Sequence, residues 1–125
     1  MDRAIDTLNF NLGLVFTVNK LGNDKTLNLR SEPIADGTNA NVIGGIPLNG
    51  DVIILPPPKG KYYDYEAKVK WNQFYHLNQT YVWYYVLAQV GGSEYMVGWC
   101  AAGVNEAGKD QWLYFKGNGQ PHNII

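Results

Sequence analysis

The sequence predicts an all-β fold, a small barrel or sandwich of short strands, and three observations carry that prediction. Glycine is abundant, at 14 residues, and so are tyrosine and tryptophan, at 9 and 4 residues. This composition favours strands and tight turns. Short apolar segments end at clusters of glycine, asparagine or proline, which is typical of strands joined by turns. Helical periodicity is weak, because its one candidate, residues 2–8, is short for a stable helix.

The first two strands are predicted on either side of a turn cluster. Residues 13–20 read GLVFTVNK, and a Gly-Asn-Asp cluster follows them. In residues 26–31, Leu27 and Leu29 alternate with polar residues, the period-two pattern of a half-buried strand. Two apolar segments around such a turn predict a β-hairpin.

The middle of the chain carries two further strand signals. Val42 and Ile43 lead into a pair of glycines, and Asn49-Gly50 follows. That dipeptide predicts a type I′ turn, with positive φ at both residues. Residues 51–55 then form a continuous apolar strand that ends at three prolines, which have no backbone N–H to donate.

The clearest hairpin is predicted near the C-terminus. Residues 81–90 and 94–100 have strand composition, and Gly91-Gly92-Ser93 lies between them, where the turn needs positive φ. A last short strand is predicted over residues 111–117. The tail from residue 118, rich in polar residues and glycine, is predicted to be poorly ordered.

Charge and length exclude several classes of protein. The chain has 125 residues, the size of one domain, and a formal net charge of −1, so we do not expect nucleic acid as a partner. A single cysteine excludes an internal disulfide. No apolar run reaches the roughly 18 residues of a membrane span, and no signal peptide is recognisable. We expect a soluble chain without a membrane partner, and its localisation stays open.

Three segments, in order and spacing, resemble the bacterial SH3 (SH3b) family. The first is LNLRSEP at residues 27–33, and the second is NVIGGIPLNGDVIIL at residues 41–55. The third runs from WYYV at residues 83–86 to VGWC at residues 97–100. Two departures stand out: residues 56–82 form a long insertion, and Cys100 occupies a position where the family usually has valine.

The resemblance implies a fold and a class of function. It implies an SH3-like barrel over residues 27–104, with residues 56–82 as an inserted arm. Residues 1–26 form an N-terminal extension that carries the first hairpin strand, and residues 105–125 carry a C-terminal strand and a tail. Members of the family bind peptides, cell-wall glycans or protein partners, so the implied activity is binding without catalysis.

No catalytic constellation is expected. Cys100 would need a nearby histidine, lysine or helix N-terminus to act as a nucleophile, and His76 and His122 form no recognisable arrangement with it. We therefore interpret Cys100 as a small buried hydrophobic residue. No spacing of histidine, cysteine and carboxylate residues resembles a metal site, so we expect no metal and no cofactor.

The candidate ligand-binding residues are aromatic. Trp83 and Trp99 offer flat faces to a sugar or a peptide proline, or else pack in the core between strands. The insertion sets lysines among aromatic side chains that could stack on a ligand. Alternatively, the insertion packs against the barrel or a second subunit. The candidate site consists of Tyr62, Tyr63, Tyr65, Trp71, Trp83 and Trp99.

Two functional hypotheses follow from the sequence. In the first, the protein is a non-catalytic module that recognises a cell-wall glycan, a peptide or a protein partner through an aromatic surface. In the second, it is a structural component of a phage virion or surface layer that self-associates through the barrel and its arm. The second predicts a homo-oligomer, and either hypothesis implies an extracellular or virion-associated protein.

Overall fold

The protein is all-β, as the sequence predicts. The structure is a computed structural model that describes residues 15–19, 26–35, 37–62, 74–78, 80–106, 109–117 and 119–122. Within these ranges it contains no helix. The described strands are β1 (Val15–Val18), β2 (Thr26–Arg30), β3 (Val42–Pro47), β4 (Asp51–Ile54), β5 (His76–Leu77), β6 (Tyr81–Gly91), β7 (Glu94–Val104) and β8 (Leu113–Phe115). The candidate helix at residues 2–8 lies outside the described residues.

The strands form one antiparallel sheet that closes into a barrel. Their order is β3-β2-β7-β6-β4-β1-β8, and β5 adds to β6. Closure comes from the segment before β8, where Gln111 bridges Gly103 and the Trp112 N–H donates to the Ala102 carbonyl at 2.8 Å. Because β8 also pairs with β1, the terminal segments of the chain complete the ring.

The core follows from the alternation of side chains along β6. Val82, Tyr84, Val86 and Ala88 are buried in the barrel interior, whereas the residues between them face outward, because successive side chains of a strand point to opposite faces. The other strands add apolar side chains to the interior cluster: Phe16, Val18, Leu29, Ile46, Val52, Ile54, Cys100, Ala102 and Leu113.

The C-terminal hairpin confirms the prediction and extends it. β6 and β7 pair from Tyr81↔Val104 to Gly91↔Glu94, and the turn residue Gly92 has a φ of 49°. β7 continues to Val104, beyond the predicted end at residue 100. The additional residues are those that meet the segment before β8.

The predicted hairpin between the first two strands is wrong. β1 pairs with β4 and β8, and β2 pairs with β3 and β7. A turn cluster reverses the chain but does not select the partner strand. Here the partners are set by burial, because Phe16 and Val18 reach the interior beside Val52.

The Asn49-Gly50 turn also differs from the prediction. Asn49 has a φ of 67°, but Gly50 has no positive φ, so the turn is not type I′. β3 and β4 do not pair with each other, and the turn instead carries the chain from one part of the barrel to another. Gly50 is required by a close approach: a Cβ there would lie 2.9 Å from the Pro47 carbonyl oxygen.

The predicted disorder of the tail is wrong for residues 119–122. The Phe115 N–H donates to the Gln120 carbonyl at 2.7 Å, and the His122 N–H donates to the Leu113 carbonyl at 2.9 Å. His122 is only 2 % exposed. These backbone hydrogen bonds pair the tail with β8. The composition of the tail does not reveal this pairing.

Candidate functional site

An aromatic cluster covers the outer face of the β6–β7 hairpin. It arises because the outward residues of β6 alternate with its core residues, so that Trp83 stands on the face opposite Val82 and Tyr84. Its rings meet mostly edge to face, with centroids 5.4 Å apart for Tyr85 and Trp99 and 5.9 Å apart for Tyr81 and Trp83. The members of the aromatic cluster are Trp83, Trp99, Ala101, Tyr62, Tyr81, Tyr85 and Trp112.

The two tryptophans predicted to bind ligand are buried in this cluster. Trp83 is 1 % exposed and Trp99 is 4 % exposed. They belong neither to the barrel interior nor to the open surface. The insertion contributes to covering Trp99, since the rings of Tyr62 and His76 lie 6.4 Å and 6.2 Å from it. At its described ends, therefore, the arm packs against the barrel.

The described part of the arm brings Tyr62 to the surface beside this cluster. Tyr62 is half-buried, and its carbonyl accepts a hydrogen bond from His76 Nδ1 at 3.0 Å, which ties together the two ends of the arm. Three other predicted ligand residues, Tyr63, Tyr65 and Trp71, lie outside the described residues.

A second feature is a cavity in the loop between β2 and β3. It has a volume of about 360 Å³ and combines hydroxyl, carboxylate and amide groups with two small apolar surfaces. We call it the loop pocket. It is lined by Ser31, Glu32, Ile34, Thr38, Ala40 and Asn41.

The loop around this pocket is held by a buried arginine and an asparagine. Arg30 is 8 % exposed, and its Nη1 donates to Asn41 Oδ1 at 2.8 Å and to the Thr38 carbonyl at 3.3 Å. Asn41 Nδ2 donates in turn to the Ile34 carbonyl at 2.9 Å. The Ser31 N–H adds a bond of 2.9 Å to the Asn41 carbonyl. The pocket wall is thus fixed by bonds that span the loop.

Tyr62 joins the loop pocket to the aromatic cluster. Its hydroxyl donates to Glu32 Oε1 at 2.9 Å, and its ring packs against Trp99. On the same ring, Lys61 Nζ lies 5.2 Å from the centroid. The result is one continuous surface with a polar pocket, an aromatic ring and a carboxylate.

The cysteine lies on the opposite side of the sheet from this surface. Cys100 is fully buried in the barrel interior, as the sequence analysis predicts. Burial raises the pKa of its thiol to about 12, because an apolar interior disfavours the thiolate. A thiol held neutral in this way is not activated as a nucleophile.

The described ranges contain neither a group of side chains suited to a metal ion nor a membrane-spanning helix. No three histidine, cysteine or carboxylate side chains are grouped there so that they could hold a metal ion. The same residues include no helix of the length and apolarity that crossing a membrane requires.

Sequence reasoning missed the groups that build the loop pocket. Arg30 looked like the outward residue of an alternating strand, and no local signal shows that its guanidinium meets Asn41, 11 residues later. It also missed the buried contact between His122 Nε2 and Gln111 Oε1, at 2.6 Å. Both contacts depend on tertiary pairing, which the period-two pattern does not encode.

Tyr62 is the predicted site residue that the structure connects to a pocket. Trp99 contacts the ring of that residue, and Trp83 belongs to the same buried aromatic cluster. Comparison of the chain with known proteins finds no matching family model, no matching curated protein and no matching solved structure.

Proposed function

We propose that the protein is a non-catalytic SH3b-like binding module that holds a cell-wall peptide or glycan, or a segment of a protein partner. The ligand would lie on the surface formed by the loop pocket and Tyr62. The observation that carries this proposal is the bond from Tyr62 to Glu32, which places an aromatic ring at the edge of a polar cavity. Binding sites commonly combine a concave shape, apolar contacts and a few placed polar groups.

The pocket supplies contacts for an extended polar ligand. Ser31 and Thr38 offer hydroxyl groups, and Ile34 and Ala40 offer apolar surface. Since Arg30 and Asn41 already fix the loop, binding would order few additional groups, and the entropic cost of association is correspondingly smaller.

The SH3b assignment belongs to the same proposal and has its own support. Of the three motifs, LNLRSEP supplies β2 and the start of the pocket loop, and the other two supply β3, β4 and the β6–β7 hairpin. All of them lie in one small barrel. In this proposal the inserted arm is the departure that brings Tyr62 to the pocket.

A binding experiment with purified wall material and peptides tests the function. Binding of peptidoglycan fragments, teichoic acid and a peptide array would be measured for the native chain and for Tyr62→Ala. We expect at least one ligand class to bind and Tyr62→Ala to weaken that binding severalfold to about tenfold, because the variant removes apolar area that the ring would bury against the ligand, at roughly 25 cal/mol per Å². The matched control is Lys116→Ala, at a surface ion pair with Asp51 away from the pocket. Absence of binding to every class by the folded protein would contradict the proposal.

A second candidate function is self-assembly, and one observation favours it. Among the described strands, β3 pairs only with β2, so its outer edge presents backbone groups that another strand could pair with. Ile43 on β3 is 42 % exposed, and Tyr95 and Met96 on β7 are 47 % and 37 % exposed. Light scattering over a range of concentrations separates the candidates, since a strict monomer at high concentration would exclude assembly.

A further inference from the structure

We propose that the loop pocket recognises a positively charged alkylamine, the side-chain ammonium of a lysine in a peptide ligand, and that Glu32 is its partner. In the free protein, Lys61 holds the same chemical group over the ring of Tyr62, whose hydroxyl donates to Glu32. This inference rests on the proposed binding function and names the ligand chemistry of that site.

The charge of the loop favours a cation. Residues 31–41 include two acidic residues, Glu32 and Asp36, and no lysine or arginine. Asp36 lies outside the described residues, whereas Glu32 is exposed and lines the pocket. One of its oxygens accepts the Tyr62 hydroxyl. A carboxylate offers about four acceptor sites, so Glu32 retains capacity for an ammonium group.

The Arg30 guanidinium and the Asn41 amide beside the pocket donate to the loop. Arg30 Nη1 donates to the Thr38 carbonyl and to Asn41 Oδ1, and the Asn41 amide donates to the Ile34 carbonyl. Both donors are therefore directed at the loop itself. A ligand anion would meet the Glu32 carboxylate, and like charges repel. We therefore expect the pocket to prefer a cation to an anion.

The apolar part of the pocket suits the stem of a lysine. Ile34 and Ala40 line the cavity beside Glu32. A lysine side chain buries its methylene groups along apolar surface while its ammonium group stays with polar partners. An arrangement of aliphatic wall and carboxylate fits that amphipathic shape better than it fits a hydroxylated sugar.

The position of Lys61 shows that the surface accommodates an ammonium group. Its Nζ lies 5.2 Å from the centroid of the Tyr62 ring, within the range of a cation–π contact. Tyr62 is in turn bonded to Glu32. A ligand ammonium would meet this same ring and carboxylate, so Lys61 competes with it. Because Lys61 is exposed, we expect its displacement to cost little.

A pair of small probes tests the inference on the full chain. Nα-acetyl-lysine methylamide carries the ammonium group, and Nα-acetyl-norleucine methylamide carries a similar chain without the charge. Backbone amide shifts of residues 31–41 would be followed by two-dimensional NMR during titration. We expect the lysine probe to shift these amides and to bind severalfold more tightly than the norleucine probe, as an exposed ion pair allows, with affinity that falls as salt rises.

Matched variants assign the effect to the named groups. Glu32→Gln retains an acceptor for the Tyr62 hydroxyl but removes the charge, and we expect it to weaken binding of the lysine probe severalfold. Lys61→Gln removes the internal competitor, and we expect binding to tighten severalfold. Glu94→Gln is the control, since Glu94 is an exposed carboxylate at the β6–β7 turn.

The outcomes separate this inference from the binding function. Equal shifts by both probes, no shift by either probe, or unchanged binding in Glu32→Gln would overturn the amine inference. A response to glucosamine in place of the lysine probe would also overturn it, in favour of an amino sugar. In each of these cases the assays with wall fragments and peptides decide independently whether the protein is a binding module.

Discussion

Trp99 and Cys100 show how neighbouring residues in one strand serve different structures. Cys100 points into the barrel and is fully buried there, whereas Trp99 belongs to the aromatic cluster on the outer face. The two environments differ chemically as well as in direction. The interior keeps the thiol neutral, and the outer layer positions the ring of Tyr62 beside Glu32.

The buried thiol makes stability depend on pH in the alkaline range. Its pKa is about 12 in the folded chain against an ordinary value of 9.0, so unfolding releases a proton between these two values. The thiol therefore lowers the free energy of unfolding as pH rises above 9, on the order of 1 kcal/mol at pH 10. Below pH 9 it has no such effect. Urea unfolding of the native chain and of Cys100→Ala at pH 7 to 10.5 measures the difference.

Comparison of the two proteins isolates the thiol from other groups. Burial also raises the pKa of Tyr85, which adds an alkaline dependence of the same sign to both proteins. We expect the native chain to lose stability more steeply than Cys100→Ala, and its thiol to react with a disulfide reagent only after unfolding. Parallel pH profiles, or rapid reaction of the folded chain at pH 8, would contradict this account.

A few specific hydrogen bonds help to hold the pocket loop and the arm in place. Asn41 links Arg30 to the Ile34 carbonyl across the pocket loop, and Tyr62 links the arm to Glu32. The pocket loop adds no residue to the hydrophobic core of the barrel interior, whereas the arm contributes Phe74, which is buried there. The position of the pocket loop therefore depends on side-chain hydrogen bonds more than on buried apolar area, and the arm is held by both.

Removal of the Asn41 side chain is expected to loosen the pocket loop and leave the barrel intact. Asn41→Ala deprives Arg30 of an acceptor and the Ile34 carbonyl of a donor, and each lost bond costs about 1 kcal/mol. Hydrogen exchange of the amides in residues 31–41 should accelerate severalfold, while the amides of β6 stay protected. Asn39→Ala is the control, because Asn39 is exposed in the same loop. Unchanged exchange in Asn41→Ala would show that other contacts hold the loop.

The sequence predicts some elements well because their signals are local. The β6–β7 hairpin has long apolar strands on both sides of a glycine turn, so composition and turn chemistry agree with the final pairing. By contrast, β1 and β2 have a turn between them and still pair elsewhere. Within the candidate site, Tyr62 could be predicted because it is an aromatic residue of the insertion. The roles of Arg30 and Asn41 depend on tertiary contacts.

Closure of the barrel is a property of the whole molecule. β1 and β8 lie nearly 100 residues apart in the sequence, and they pair with each other at one side of the ring. The ring closes where Gly103 meets Gln111, whose Nε2 donates to the Val104 carbonyl at 2.9 Å and whose Oε1 accepts from His122 Nε2. The described part of the predicted C-terminal strand and tail, residues 109–117 and 119–122, thus takes part in the closure.

Gly103 is the position at which this closure can be broken by one methyl group. A Cβ at residue 103 would lie 1.8 Å from Gln111 Oε1 and 3.0 Å from the Gln111 Cα, so backbone as well as side chain must shift. We expect Gly103→Ala to lower the free energy of unfolding by about 1–3 kcal/mol or more, through overpacking and loss of the buried Gln111–His122 contact. The free energy of unfolding is measured by urea titration, with tryptophan fluorescence and circular dichroism as the two probes.

Two control variants test whether disrupted closure of the barrel causes the lower stability of Gly103→Ala. Gly117→Ala places its methyl group in open space, and we expect a change within about 0.5 kcal/mol, as for most surface substitutions. Gly103→Ala combined with Gln111→Ala removes the clashing side chain and should recover part of the loss. Because β8 closes the same sheet that carries Trp83 and Trp99, both probes should report one coincident transition. A fluorescence midpoint that stays unchanged in Gly103→Ala would mean that the C-terminal segment unfolds apart from the rest of the barrel.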